Sequence, residues 1–152
     1  MALAHGCTGV GYYSFNERPG YDWRIPQTAP ALWAQWADLT AELRALSPWL
    51  LAPEAGKVSV ELLGGPAEPG PWGFAAIHTS LRRGPDGWLL IAVNGLDTAI
   101  QARMKLPEDV AATQAAVRFE ARLTPVSVGA IEDSFAPYAV HLYQIVPPET
   151  AG

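Results

Sequence analysis

Two carboxylates, Glu17 and Asp22, lie in a polar and aromatic segment, NERPGYDWRIPQTA at 16–29, together with Asn16, Tyr21 and Trp23. Tyr13 and Phe15 directly precede it. A pair of carboxylates can hydrolyse a glycosidic bond when one protonates the leaving oxygen and the other attacks the sugar or activates water. They must then stand about 5–5.5 Å apart for retention, or about 6.5–9.5 Å for inversion. Aromatic faces beside such a pair can stack on sugar rings, and Asn16 or Asp22 can bond hydroxyls. Glu17 and Asp22, however, share one flexible loop, which fixes a separation poorly. The plainer reading makes Glu17 a solvated loop acid paired with Arg18 or Arg24. Tyr13 and Phe15 can likewise be core residues, with Trp23 alone exposed.

Other residues offer less. Trp72 and Trp88 flank a hairpin and can form a flat sugar-binding platform, or simply pack a β-sandwich core. His5, His78 and His141 are far apart and fit no HxH, HExxH or acidic-loop spacing, so no metal site is implied. His78 and His141 fall in strand-like runs and read as structural. Cys7 is the single cysteine. It excludes an intrachain disulfide and a cysteine-rich zinc site. Between Gly6 and Thr8 it reads as an inert buried thiol. No serine stands in a GxSxG context, and there is no GxGxxG or GxxxxGK[ST] run. No cofactor is implied.

These side chains need elements to hold them. GVGYYSF at 9–15 is a short apolar and aromatic run that reads as a buried strand. Beyond the 16–29 loop, Thr28 offers an N-cap and Pro30 suits a first helical turn. Leu32, Trp36, Leu39, Leu43 and Leu46 recur at spacings of three and four, one face of an amphipathic helix with Trp36 in its core stripe. Pro48 disfavours helical geometry at Ser47 and should end the helix there. A linker follows at 51–56, and the period then changes. Runs at 58–63, 74–83 and 88–93 read as strands, the last two joined at Gly84-Pro85-Asp86-Gly87. Asn94-Gly95 marks another turn, and further strands are expected at 98–106, 117–123, 125–128 and 138–146. The fold class is therefore mainly β: an antiparallel β-sandwich over 57–146, preceded by one strand-loop-helix unit over 1–51.

The bulk numbers narrow the field. With 49% hydrophobic and 16% charged residues in 152, the composition is that of a folded domain. A net charge of −5, with Arg82-Arg83 the one adjacent basic pair, argues against nucleic acid. No stretch approaches the roughly 18 to 20 apolar residues of a membrane span. The start lacks a signal peptide's basic and apolar regions. The chain reads as soluble, with no compartment indicated. Six Trp and fourteen Pro suit a secreted or sugar-handling protein.

Four segments together resemble the C-terminal region of a (β/α)8-barrel glycoside hydrolase with its appended β-sandwich: MALAHGCTGVGYYSF, PALWAQWADLTAELRALSPWLLAP, DGWLLIAVNG and FAPYAVHLYQI. The resemblance covers nearly the whole chain. It implies that 1–51 is the last barrel strand, loop and helix, and that 57–146 is an accessory sandwich. It places Glu17 just after the last strand, where such barrels gather their sites. It also implies that the main catalytic carboxylates belong to earlier strands, so the chain would start in mid-fold and be non-catalytic alone. Alternatives are a stand-alone carbohydrate-binding module and a small glycosidase whose site a partner chain completes. A strand at 9–15 without barrel neighbours has unpaired edges. It should join the sandwich, lie under the helix, or pair with a second copy. The expected partners are carbohydrate, a barrel portion or another protein chain, and a homodimer.

Overall fold

The run WLLIAV at 88–93 is apolar at every position, which suits a strand covered on both faces. In the computed structural model, which describes residues 1–11, 25–65 and 75–147, it forms most of a strand whose residues after Gly87 are all buried. The chain carries eight described strands: β1 (Ser59–Gly64), β2 (Ile77–Gly84), β3 (Gly87–Asn94), β4 (Ile100–Lys105), β5 (Gln114–Val117), β6 (Arg122–Pro125), β7 (Ala130–Phe135) and β8 (Val140–Ile145). They make a three-stranded sheet, β1-β4-β7, and a five-stranded sheet, β2-β3-β8-β5-β6. Each pairing is antiparallel. The fold is mainly β, a two-sheet sandwich with no barrel closure among the described strands.

Alternation decides what enters the core. Leu81, Leu90, Tyr143 and Ile145 of the larger sheet meet Ile100, Met104, Ile131 and Phe135 of the smaller one. All eight are at most 2% exposed. The opposite parity in β3 places Leu89, Ile91 and Val93 on the outer face of the five-stranded sheet. That face is covered by Ala4, from a 3₁₀ turn at Ala2–His5, and by Leu46, Trp49 and Leu50.

Those last three residues end a long helix. A short helix, α1 (Ile25–Thr28), leads into α2 (Pro30–Leu50). Pro30 begins α2, as its fixed φ favours. Thr28 instead closes α1, and the N-cap position falls to Ala29, which makes no side-chain cap bond. The helix also runs through Pro48 to Leu50 rather than stopping at Ser47. A proline leaves the carbonyl four residues earlier without its N–H donor. Here that carbonyl belongs to Arg44, and the Ser47 hydroxyl donates to it at 2.8 Å. Burial of Trp49 and Leu50 then holds the final turn down. The apolar stripe is buried only at this end: Leu32, Trp36 and Leu43 are half-buried, and Leu39 is exposed. Trp36 is thus not the core residue its spacing suggested.

The β2–β3 hairpin turns at Pro85-Asp86, with Gly84 paired to Gly87. Both glycines are required. Gly87 has φ 105°, and a Cβ there would lie 2.2 Å from the Ile145 carbonyl oxygen. A Cβ on Gly84 would lie 2.5 Å from Cδ1 of Trp49, whose indole rests on the hairpin. Residues 9–11 take no regular structure, and 12–15 lie outside the described residues.

Candidate functional site

Most residues singled out from the sequence fall in segments outside the described residues: Tyr13, Asn16, Glu17, Tyr21, Asp22, Trp23 and Trp72. Trp88 is described, and it is 6% exposed. It sits in the inter-sheet core with the Arg83 guanidinium carbon 5.5 Å from its ring centroid. Alternation along β3 turns it inward, so it offers no open face to a sugar. Among the described residues its indole Nε1 has no partner.

The chemistry-bearing cluster that the described strands assemble is a different one. At the edge where β6, β7 and β8 meet, Asp133 receives three hydrogen bonds: from Nη2 of Arg122 at 2.7 Å, from the Tyr143 hydroxyl at 2.8 Å and from the Ser134 backbone N–H at 2.8 Å. Arg122 also donates through Nε to Glu120 at 2.8 Å. His141 Nδ1 bonds the other oxygen of Glu120, and its Nε2 faces the Ser134 carbonyl at 3.3 Å. The network joins the two sheets, because β7 belongs to one and β6 and β8 to the other.

Electrostatics fix its protonation. Burial pushes the Asp133 carboxyl upward, but the bonds from Arg122, Tyr143 and Ser134 outweigh it and hold the group below the ordinary carboxylate range. Burial likewise opposes ionisation of Glu120, and its bonds from His141 and Arg122 prevail. Burial and the bond to Asp133 push the Tyr143 hydroxyl upward, so it stays a donor. A general acid needs a carboxyl raised toward neutrality. These two are lowered and already occupied. The arrangement suits a latch between sheets.

Two further features border the sandwich. The outer face of the small sheet carries a groove of about 520 Å³ crossed by Arg103, which bonds Glu61 at 2.9 Å and Glu132 at 2.7 Å. An apolar groove of about 380 Å³ runs between α2, the 3₁₀ turn and β3–β8, lined by Leu39, Leu43, Leu46, Ile91, Val93 and Leu142. At its margin His5 Nε2 and His78 Nδ1 share a hydrogen bond of 3.0 Å. Burial, then the charges on His5 and the Met1 amine, lower the His78 pKa below its usual value. Cys7 is exposed rather than buried, since the chain leaves the sheet at Gly6 in a left-handed turn. Arg82, half of the one adjacent basic pair, is buried, with Nη1 donating to the Ala52 carbonyl at 2.8 Å and Nε to Ser80 at 3.1 Å. Among the described residues no group of three or more His, Cys, Asp or Glu gathers as a metal site would require.

Sequence reasoning missed the Glu120–Arg122–Asp133–His141–Tyr143 network. Four members come from three strands, β6, β7 and β8, and Glu120 comes from the β5–β6 turn, so no single local spacing joins them. The one short-range signal was the ExR pair at Glu120 and Arg122 beside a turn.

No family model matches the chain, and no curated protein matches it. Solved structures do resemble it. AmyP in complex with maltose superposes with a TM-score of 0.50 at 13% identity, over 78% of this chain and 22% of AmyP. An AmyP variant in complex with maltotriose gives 0.51 at 12% identity, over 76% of this chain and 22% of that one. At such identity the likeness is one of fold. The chain spans about a fifth of the length of the solved chains it matches, 22% in each.

Proposed function

We propose that this chain is the C-terminal accessory portion of a glycoside-hydrolase-like protein, non-catalytic by itself, with a structural or carbohydrate-contacting role. The observation that carries this reading is the fold likeness of 78% of this chain to about a fifth, 22%, of a maltose-bound chain. The order of segments in the sequence supports it independently. So does the engagement of Glu120 and Asp133 in a latch. In this reading the apolar groove along α2 is the seat of the sandwich against the rest of such a protein. The accessory role is tested by incubating the full chain with aryl maltosides and soluble starch. No sugar release above background is expected, and ordinary turnover would overturn the reading.

A stand-alone carbohydrate-binding module is the second reading, favoured by large aromatic side chains at the surface, Phe119 at 50% and Tyr138 at 66% exposure. Affinity electrophoresis in gels containing soluble glucans separates the two. Retardation without catalysis favours a binding role, and unretarded, folded protein leaves the structural role.

A further inference from the structure

Among the described residues, four that are not glycine hold a left-handed backbone: Phe119 (φ 65°), Ala121 (φ 50°), Val128 (φ 51°) and Tyr138 (φ 57°). Three of them are large apolar side chains turned toward water, Phe119 at 50%, Val128 at 99% and Tyr138 at 66% exposure. A Cβ makes this conformation costly, and glycine or asparagine fills it with less strain. An aromatic residue in such a place gains nothing from the backbone and little from core packing. Strain of this kind concentrates where a side chain is needed in position for a ligand.

Topology brings two of the three together. β5 ends at Val117, and the turn carrying Phe119 follows. β8 pairs antiparallel with β5, with Val117 opposite Tyr143, so the turn carrying Tyr138 enters β8 at the same end of the sandwich. Val128 belongs to the turn between β6 and β7, at the opposite end. Hydrogen bonds fix both aromatic turns. Arg118 N donates to the Leu142 carbonyl at 2.8 Å, and Tyr138 N to the Leu96 carbonyl at 3.0 Å. Glu120 and His141 tie one turn to the strand that follows the other. The Phe119 ring is braced as well: the Arg118 guanidinium carbon stands 5.5 Å from its centroid, and Nη1 of the same arginine bonds Gln144 at 3.0 Å.

We propose that Phe119 and Tyr138, at one end of the sandwich, with the Glu120 carboxylate next to Phe119 in the chain, form a carbohydrate-contacting surface that takes a short chain of glucose units. The C–H faces of sugar rings stack on the exposed aromatic rings, while hydroxyls bond the part-exposed Glu120 carboxylate, whose oxygens keep lone pairs beyond those taken by Arg122 and His141. A ring already braced, as Phe119 is by Arg118, loses little freedom on binding. This rests on the carbohydrate part of the reading above and assigns it to residues outside the 12–24 and 66–74 segments.

The test is calorimetric titration and affinity electrophoresis of the full chain with maltoheptaose and with cellohexaose, alongside the F119N, Y138N and V128N variants and the conservative F119W. The wild type is expected to bind at least one of the two glucans. Because asparagine relieves left-handed strain, all three asparagine variants are expected to melt higher than the wild type. F119N and Y138N are expected to lose affinity tenfold or more, while V128N and F119W keep it within about twofold. A merely structural role would not couple higher melting to weaker binding. A double F119N/Y138N variant that keeps wild-type affinity overturns the assignment and leaves a carbohydrate site elsewhere. Absence of binding to either glucan by folded wild type overturns the carbohydrate reading together with it, and leaves the structural role standing.

Discussion

Asp133 is held by three donors at 2.7–2.8 Å, and removing it strands the Arg122 charge and the Tyr143 hydroxyl. Asp133→Ala should therefore cost about 2–4 kcal/mol, as expected for lost bonds to a charged, partly buried group; urea denaturation at neutral pH measures it. Its carboxyl is held below the ordinary value. A depressed carboxylate contributes stability that is present above its unfolded pKa and is lost as pH falls through its folded one. Stability should thus decline below about pH 4, and Asp133→Asn should flatten that decline. Gly84 makes a separate residue-scale prediction. A methyl group there meets the Trp49 indole at 2.5 Å, so Gly84→Ala should lower the unfolding free energy by about 1–3 kcal/mol. If calorimetry shows an unchanged melting temperature, Trp49 does not pack as described.

Among elements, α2 shows how far sequence pattern reaches. Its existence and its apolar stripe were legible from 3.6-residue periodicity, and Pro30 marked its first turn, though the cap fell on Ala29 rather than Thr28. Its end was not legible, because Ser47 relieves the carbonyl that Pro48 orphans, and because tertiary burial of Trp49 and Leu50 extends the last turn. Which third of the stripe is buried also depends on the sheet beneath it. Leu46, at 3% exposure, sits on Leu89, Ile91 and Val93, so Leu46→Ala should cost about 2–4 kcal/mol, while Leu39→Ala, at 37% exposure, should cost well under half of that. Equal effects in parallel melts would mean that α2 lies differently on the sheet. The β2–β3 hairpin was the most legible element, since Gly-Pro-Asp-Gly is self-sufficient turn chemistry.

For the molecule as a whole, His5 and His78 join the first residues of the chain to the outer face of the sandwich. Burial, then the neighbouring positive charges, depresses the His78 pKa, so the folded state favours neutral imidazole. A depressed histidine contributes stability that is present above about pH 6.5 and lost as pH falls through its lower folded value. The unfolding midpoint should fall as pH drops below about 6.5, and His78→Gln should remove that step while leaving the carboxylate-linked decline below about pH 4. A His78→Gln protein with the same pH profile as wild type would uncouple the pair from stability.

The sequence alone determined the mainly β sandwich class and the tight hairpin, because turn chemistry and short apolar runs act over a few residues. The fold likeness to AmyP is a likeness of that same architecture. Only the tertiary structure decided which chemical groups meet. Trp88 turns into the core, Arg82 is buried, Cys7 is exposed, and Glu120 of the β5–β6 turn, Asp133 of β7, and His141 and Tyr143 of β8 converge. Those outcomes depend on strand register and on how the two sheets stack, and both are set by contacts between residues remote in sequence.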